Sequence, residues 1–258
     1  DNFTGIRIMG VFQNNLLAGA AAAATAGGGG FYSHQIENSV RIDKAGTSYL
    51  DGPTVSSDNN KQYSLSFWVK RGRLDIAQAV VTGSSGGGHN LQFESDNTFR
   101  AASFGTLDTD PIVYRDTGGW YHFFIYQGTS NGTGQIYVNG VQQTLSTNTW
   151  GNVGYFVNGS KIQIGASNNG TYMFDGYIAE LLAFYDQQKA HTDFGETKNG
   201  VWIPKAYSGG FGSSLDFHLK FENASDLGND SSGNNNDFTA TNMGSDHQSI
   251  DTPTLGTG

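Results

Sequence analysis

The chain has 258 residues, a formal net charge of −9 and no cysteine. The lack of cysteine excludes disulfide bonds and thiolate metal sites. An acidic chain without a basic run is a poor partner for nucleic acid or an anionic membrane, so neither is expected. Glycine is abundant at 37 residues, proline is scarce at 4, and aromatic residues make up 13%. This mixture favours short strands, tight turns and aromatic rings packed between sheets.

Residues 1–30 differ from the rest, and we predict that they form an arm, with 31–258 as one domain. An alanine-rich run at 16–26 ends in four glycines at 27–30, which would act as a hinge. The run is too short for the ~20 apolar residues of a membrane helix, and polar residues interrupt its likeness to a signal peptide. The alternative to an attachment or oligomerisation arm is a terminus without fixed structure. The apolar residues of the predicted arm are Ile6, Ile8, Phe12, Leu16 and Leu17.

Short strand-like segments recur from residue 31 onward. In the segment 63–70, alternation predicts that Leu65, Phe67 and Val69 share one face. Trp68 falls on the opposite, more polar face, where it either covers a neighbouring strand or offers a stacking platform to a ligand. The predicted strands outside the central segment are 39–43, 49–50, 63–70, 78–82, 90–94, 98–103, 111–114, 161–165 and 173–185.

The segment 120–145 carries the clearest local signal. Residues 120–126 are almost all aromatic or β-branched, which predicts a strand covered on both faces. Asn139-Gly140 is the preferred dipeptide of a type I′ turn between two strands. We therefore predict a three-stranded antiparallel meander that ends at residue 145.

Three ordered segments resemble the laminin-G-like, concanavalin-A-like jelly-roll family. They are YSLSFWVKRG at 63–72, WYHFFIYQGTSNGTGQIYVNGV at 120–141 and FDGYIAELLAFYDQ at 174–187. The resemblance covers residues 40–187 and implies an all-β antiparallel β-sandwich. The segment DSSGN at 230–234 resembles one that opens such a domain, yet here it lies near the end. We therefore interpret the chain as a circularly permuted jelly roll, with 215–221 placed beside the first and last strands.

The remainder, from residue 201 onward, resembles a segment that follows such domains in structural proteins of marine bacteriophages. This resemblance implies a non-enzymatic virion protein at the particle surface, acting as a tail-fibre or lectin-like module that contacts host glycans. The alternative is a decoration or cement-type protein, docked by its arm and without glycan binding. The expected partners are other virion proteins or further copies of the chain, such as a trimer.

The sequence was also compared with catalytic motifs. A glucanase on this fold would carry a Glu-x-Asp-x-x-Glu strand, but after Glu94-Ser95-Asp96 the second glutamate is replaced by Phe99. The nucleophile-elbow, phosphate-loop and His-Glu-x-x-His motifs do not occur, and the six histidines lack metal-ligand spacing. We therefore expect no enzymatic activity.

Calcium is the candidate cofactor, because it prefers oxygen ligands and the C-terminal region is rich in Asp and Asn. The alternative is that these side chains only stabilise turns. The candidate calcium ligands are Asp226, Asp230, Asn234, Asn236 and Asp237.

Carbohydrate binding is the functional hypothesis that fits an acidic, aromatic-rich jelly roll. A sugar ring stacks on an exposed aromatic side chain, while amides and carboxylates bind its hydroxyl groups. Loops on a rigid sandwich are favoured places for such residues, although each ring alone could serve packing. The candidate stacking residues are Trp68, Trp150, Tyr155 and Tyr172.

Overall fold

The computed structural model describes residues 30–56, 62–83, 90–102, 106–109, 112–149, 156, 158–167, 170 and 172–254. The predicted arm residues Ile6, Ile8, Phe12, Leu16 and Leu17 lie outside this range, so the arm and its boundary at residue 30 stay predictions. The described residues form β-strands and short 3-10 turns, without an α-helix among them. The strands are Ser39–Ile42 (β1), Tyr49–Thr54 (β2), Tyr63–Arg71 (β3), Gln78–Thr82 (β4), Asn90–Phe93 (β5), Phe99–Ala102 (β6), Thr106–Thr109 (β7), Tyr121–Gln127 (β8), Gln135–Val138 (β9), Val141–Gln142 (β10), Leu145–Asn148 (β11), Lys161–Ile164 (β12), Gly176–Tyr185 (β13), Gly195–Lys198 (β14), Val201–Pro204 (β15), Phe217–Leu219 (β16), Thr239–Thr241 (β17) and Gln248–Ser249 (β18).

The strands form two large antiparallel sheets that pack face to face. Sheet A has the order β10-β9-β8-β3-β13-β1-β18, with β16 also paired to β13. Sheet B has the order β11-β7-β6-β5-β4-β12-β2-β17, and β14 and β15 form a separate hairpin. The prediction of an all-β antiparallel jelly-roll sandwich is confirmed.

Aromatic rings fill the space between the sheets. Phe67 and Phe123 of sheet A stack at 5.8 Å, and Phe123 meets Phe93 and Phe99 of sheet B at 5.7 Å and 4.3 Å. Leu65, Phe67 and Val69 all belong to this core, as their alternation predicts. Burying these rings between the sheets contributes much of the driving force for folding.

The central meander is confirmed in part. Asn139 and Gly140 both have positive φ, 48° and 76°, as a type I′ turn requires. The third strand of the meander ends at Gln142 instead of continuing to residue 145. Leu145 begins β11, which pairs with β7 in sheet B, so the chain changes sheets within three residues. Local composition could not show this crossing, because β7 and β11 are separated in sequence.

The region 106–114 was predicted wrongly. The predicted strand at 111–114 is absent from its described part, 112–114, and the strand β7 at Thr106–Thr109 was missed. The apolar side chain of Tyr114 packs in the core, whereas Ile112 and Val113 are exposed. The apolar residues at 112–114 therefore resemble a strand in sequence, although the main chain there forms no regular strand.

The last strands complete the sheets beside the first ones. β18 pairs with β1, β17 pairs with β2, and β16 pairs with β13. Glu180 has a positive φ of 46° and interrupts the register of β13, which pairs with β1 before this residue and with β16 after it. The prediction that 215–221 lies beside the first and last strands is confirmed in part, because β16 pairs with β13 whereas β1 pairs with β13 and β18. The interpretation as a circular permutation is not tested by these pairings.

A third layer covers the outer face of sheet A. Phe194 stacks on Phe124 at 5.8 Å, and Phe211 stacks on Phe184 at 5.5 Å. Trp202 of β15 lies 5.8 Å from the ring of His122 on the same face. We call Phe194, Trp202, Tyr207 and Phe211 the aromatic layer. Both faces of β8 are thus covered, as the composition of 120–126 predicts.

Candidate functional site

The outer face of sheet B is lined by polar side chains. Strand register places Gln163 beside both Asp51 and Thr82, and Asn90 beside Thr82 on the other side. In the next row, Gln92 lies beside Arg100, and Arg100 beside Asp108. Their neighbours along each strand, such as Leu91 and Ile164, point into the core. The polar face consists of Asp51, Thr82, Asn90, Gln92, Glu94, Arg100, Asp108, Lys161 and Gln163.

Two glutamines on the polar face have the same environment. The Nε2 of Gln92 donates to Glu94 Oε1 at 2.7 Å, and the Nε2 of Gln163 donates to Asp51 Oδ1 at 2.8 Å. Because an ionised carboxylate can only accept, these bonds determine which end of each amide is nitrogen. The Oε1 atom of each glutamine is buried and has no hydrogen-bond partner. Each residue is only 7% exposed.

Cations hold the carboxylates of the polar face. Arg100 lies 3.3 Å from Asp108 and 3.7 Å from Glu94, and Lys161 lies 3.9 Å from Asp51. The Nε of Arg100 is within ion-pair distance of Asp108 but lacks hydrogen-bond geometry. The side chains of Arg100 and Lys161 are 41% and 55% exposed, so solvent screens these pairs and each stabilises the fold little. Their main effect is to position hydrogen-bonding groups around the glutamines.

The segment that follows β12 lies against this face. Thr82 Oγ1 donates to the carbonyl of Ala166 at 2.8 Å, and the N–H of Ala79 donates to the carbonyl of Tyr172 at 2.8 Å. Ala79 is the register partner of Gln92. The side chain of Tyr172 is 38% exposed. Of the two predicted stacking residues that the structure describes, Trp68 and Tyr172, Tyr172 combines exposure with a position next to β4.

The other predicted stacking residues are placed differently. Trp68 lies on the outer face of sheet A, is 5% exposed and packs against His122 at 4.9 Å. This packing agrees with the alternative that Trp68 covers a neighbouring strand, and it leaves no open ring face on which a sugar could stack. Trp150 and Tyr155 lie outside the described residues.

Ser66 and His122 form a buried pair that resembles part of a nucleophilic site. Ser66 Oγ lies 2.9 Å from His122 Nε2, and the indole Nε1 of Trp202 donates to His122 Nδ1 at 3.1 Å. Burial, assisted by the nearby His191, lowers the pKa of His122 to about 3, so the ring is neutral at pH 7. With Nδ1 accepting from Trp202, the ring proton is on Nε2 and is donated to Ser66. A ring that donates to the serine cannot remove its proton, so this pair does not form a serine–histidine nucleophile.

The Asp- and Asn-rich segment uses its predicted calcium ligands to form turns. Asp230 Oδ1 accepts from the N–H groups of His218 and Ser232, and Oδ2 accepts from Ser232 Oγ and the N–H of Asn236. The side-chain amides of Asn234 and Asn236 both donate to the carbonyl of Asp216. These bonds agree with the alternative to calcium binding, in which the Asp and Asn side chains stabilise turns.

The remaining two predicted ligands, Asp226 and Asp237, line a cleft of about 540 Å³ near the C-terminus. Asp237 Oδ1 also accepts from the N–H of Asp230. In the part of the chain that the structure describes, no group of three histidine or acidic side chains could hold a metal ion. Calcium as a cofactor stays a prediction.

The polar face was not predicted, although the sequence carries a signal for it. The segments NLQF (β5) and KIQI (β12) alternate polar with apolar residues, which indicates a polar outer surface that includes amides. The pairing of Gln163 with Asp51, 112 positions apart, has no local signature. Only the order of strands in sheet B brings these groups together.

Comparison with known proteins identifies the family. Residues 44–191, more than half of the chain, match the laminin-G-type family described as the concanavalin A-like lectin/glucanases superfamily. No curated protein sequence gives a significant match. None of the helices in the described part of the chain is long and apolar enough to cross a membrane.

Two solved structures are similar to the chain at low sequence identity. A candidate carbohydrate-binding protein from Bacteroides ovatus is 13% identical, with a TM-score of 0.52 over 81% of this chain and 61% of that chain. A heptameric SAP-like pentraxin from Limulus polyphemus is 16% identical, with a TM-score of 0.45 over 61% of this chain and 80% of that chain. The first likeness shows a shared fold, and the family match goes further. The chain belongs to the concanavalin A-like lectin/glucanase superfamily.

Proposed function

We propose that the chain is a non-enzymatic carbohydrate-binding module and that the polar face of sheet B is its binding site. The observation that carries this proposal is the pair of buried, unpartnered carbonyl oxygens on Gln92 and Gln163. A buried polar atom without a partner costs about 1–3 kcal/mol, and such atoms are rare in folded proteins. A ligand with hydroxyl groups would supply the missing donors.

The surroundings of the glutamines support a sugar ligand. Carboxylates, an amide and a hydroxyl lie around them, which are the groups that bind sugar hydroxyls. Tyr172 adds an exposed aromatic side chain next to β4, where a sugar ring could stack. Membership of a superfamily that includes lectins agrees with this reading.

Two features support the absence of catalysis. The carboxylates of Asp51, Glu94 and Asp108 are held by glutamine amides or by cations, which keeps them in place as hydrogen-bond acceptors. Glycoside hydrolysis needs one carboxyl group that gives up a proton to the leaving oxygen. The neutral tautomer of His122 also leaves Ser66 without a base.

The proposal is tested by applying the purified chain to a glycan array that covers neutral and acidic polysaccharides. We expect retention of at least one glycan class, weakened about 3- to 10-fold by Tyr172→Ala because a stacking contact is lost. Tyr172→Phe is the matched control, since it keeps the ring. Silence across the array would refute glycan binding and favour a decoration protein.

We further propose that the module is displayed on a phage particle, as part of a tail fibre or the particle surface, with residues 1–30 as its attachment arm. The sequence resemblance to marine phage structural proteins supports this location, and a docked decoration protein is the alternative. Removing residues 1–30 should leave a folded domain that no longer joins its partners or its own copies. An unchanged assembly state in the truncated chain would contradict the arm.

A further inference from the structure

The arrangement of hydrogen-bonding groups on the polar face also indicates which sugars it accepts. Resting on the proposed function, we infer that the site takes neutral glycans, whose hydroxyl groups donate to Gln92 Oε1 and Gln163 Oε1. Glycans whose contact positions bear carboxylate or sulfate groups are excluded.

The free groups at the centre of the site are acceptors. The amide nitrogens of Gln92 and Gln163 are already bonded to carboxylates, so neither amide can turn over without placing oxygen against oxygen. The single hydroxyl proton of Thr82 is likewise used, because both the Ala166 carbonyl and Asn90 Oδ1 lie within hydrogen-bond distance of Oγ1. A ligand must therefore bring donors. Hydroxyl groups donate, whereas ionised carboxylate and sulfate groups only accept.

Charge acts in the same direction. The polar face carries three carboxylates, Asp51, Glu94 and Asp108, against two cations, and the whole chain has a net charge of −9. Arg100 lies within ion-pair distance of two of the three carboxylates, which already offset its charge, although its Nε has no hydrogen-bond partner. An acidic sugar would meet unpaired acceptors and excess negative charge, which is how a site rejects a wrong partner.

The two acceptors lie on opposite sides of β4. Gln92 is on β5 and Gln163 is on β12, so two strand spacings separate them, about 10 Å across the sheet. Gln163 lies in the row of Thr82 and Gln92 in the row of Ala79, so a ligand that donates to both has to cross β4 diagonally between these two residues. Both oxygens are buried, so the side chains around them must move aside before a ligand can reach them. Arg100 and Lys161 form the exposed rim of the face, and we expect the ligand to enter from that side.

The glycan test uses matched probes. The neutral polysaccharides are laminarin, dextran, arabinan and galactomannan, and each is compared with the same polymer after carboxymethylation of its hydroxyl groups. We expect at least one neutral polymer to bind and its anionic derivative to bind at least about 10-fold more weakly. Equal or tighter binding of anionic forms overturns this inference and leaves the proposed function standing. If none of the neutral or anionic polymers binds to the chain, the proposed function itself is refuted.

Substitutions test whether the free oxygens serve a ligand. Gln92→Met and Gln163→Met should weaken binding of the neutral polymer by about 3- to 10-fold each. Their melting temperatures should fall by no more than about 4 °C, because each change loses one hydrogen bond to a carboxylate but also removes an unpaired buried acceptor. Binding should therefore weaken with little loss of stability.

Gln78→Met is the matched control from β4. Gln78 is fully buried but has both ends paired, with Nε2 donating to the Arg73 carbonyl and Oε1 accepting from the N–H of Asp175. This change should lower the melting temperature by about 2–8 °C and leave binding intact. A drop for Gln92→Met or Gln163→Met larger than that for Gln78→Met would mean that their oxygens also have partners in the free protein, which overturns the inference.

Discussion

The outer faces of the two sheets arise from the same alternation of side chains along the strands, but one face is aromatic and covered whereas the other is polar. On sheet A, the outward residues include Phe124 and Phe184, which are buried beneath the aromatic layer. On sheet B, the outward residues are amides, carboxylates and hydroxyls, and two of the amide oxygens have no partner. One face gains stability by burying rings, and the other keeps polar groups that reduce stability unless a ligand binds.

This contrast follows from the different behaviour of apolar and polar groups on burial. Apolar surface contributes roughly 25 cal/mol per Å² when it leaves water, so each ring added to sheet A stabilises the fold. A buried carbonyl without a donor costs about 1–3 kcal/mol. We therefore expect substitutions on sheet A to affect stability and substitutions on sheet B to affect binding.

The largest expected effect is the loss of a ring from the covered face. Phe184 is fully buried between Phe194, Tyr207 and Phe211. Phe184→Ala should lower the free energy of unfolding by about 3–5 kcal/mol, since a large cavity forms. Denaturant unfolding measures this loss, and glycan binding by the folded fraction should not change. A loss below about 1 kcal/mol would mean that the aromatic layer is not firmly packed on sheet A.

An intermediate effect is expected from pH, because His122 lies under the aromatic layer as a neutral ring. Its folded pKa of about 3 is far below the ~6.5 of an unfolded histidine. Between pH 3 and pH 6.5 the unfolded chain binds more protons at His122 than the folded chain does. The free energy of unfolding is therefore not reduced by this residue above about pH 6.5, and it falls as the pH drops below that value. This residue alone should contribute a slope approaching 1.4 kcal/mol per pH unit.

Urea unfolding at pH 7.0 and 5.5 measures this slope, and His122→Gln should flatten it. An NMR titration of the native chain offers a test without substitution, because the His122 ring should remain neutral to below pH 4. A ring that gains its proton near pH 6.5 would show that Trp202 does not seal it from solvent.

The smallest expected effect belongs to the rim of the polar face. The side chains of Asp108 and Arg100 are 33% and 41% exposed, so their ion pair is screened. Asp108→Asn should change the free energy of unfolding by no more than about 1 kcal/mol. Thermal unfolding at low and high salt checks this value. A loss of several kcal/mol would show that the face contributes to stability as much as sheet A does, and the contrast between the faces would disappear.

Sequence patterns predicted the parts of the fold that depend on near neighbours. Alternation in the segment 63–70 correctly placed Leu65, Phe67 and Val69 in the core, and Asn139-Gly140 correctly marked a turn. The candidate site was predicted less well. Tyr172 was predicted from its loop and stays a prediction. Gln92 and Gln163 were missed, because each amide is oriented by a carboxylate, and local sequence does not reveal the strand order that places Asp51 beside Gln163.

The amino-acid sequence by itself determined that this chain folds as an antiparallel sandwich with its rings between two sheets, since strand periodicity and turn chemistry are local properties. It also determined that both faces of β8 are covered. Only the tertiary structure decided what covers them, because Phe194 and Trp202 lie about 70 positions or more beyond Phe124 and His122. The same holds for the polar face, where Gln163 meets Asp51 across 112 positions. Contacts of that range depend on the order of strands in a sheet, and that order is set by packing of the whole chain.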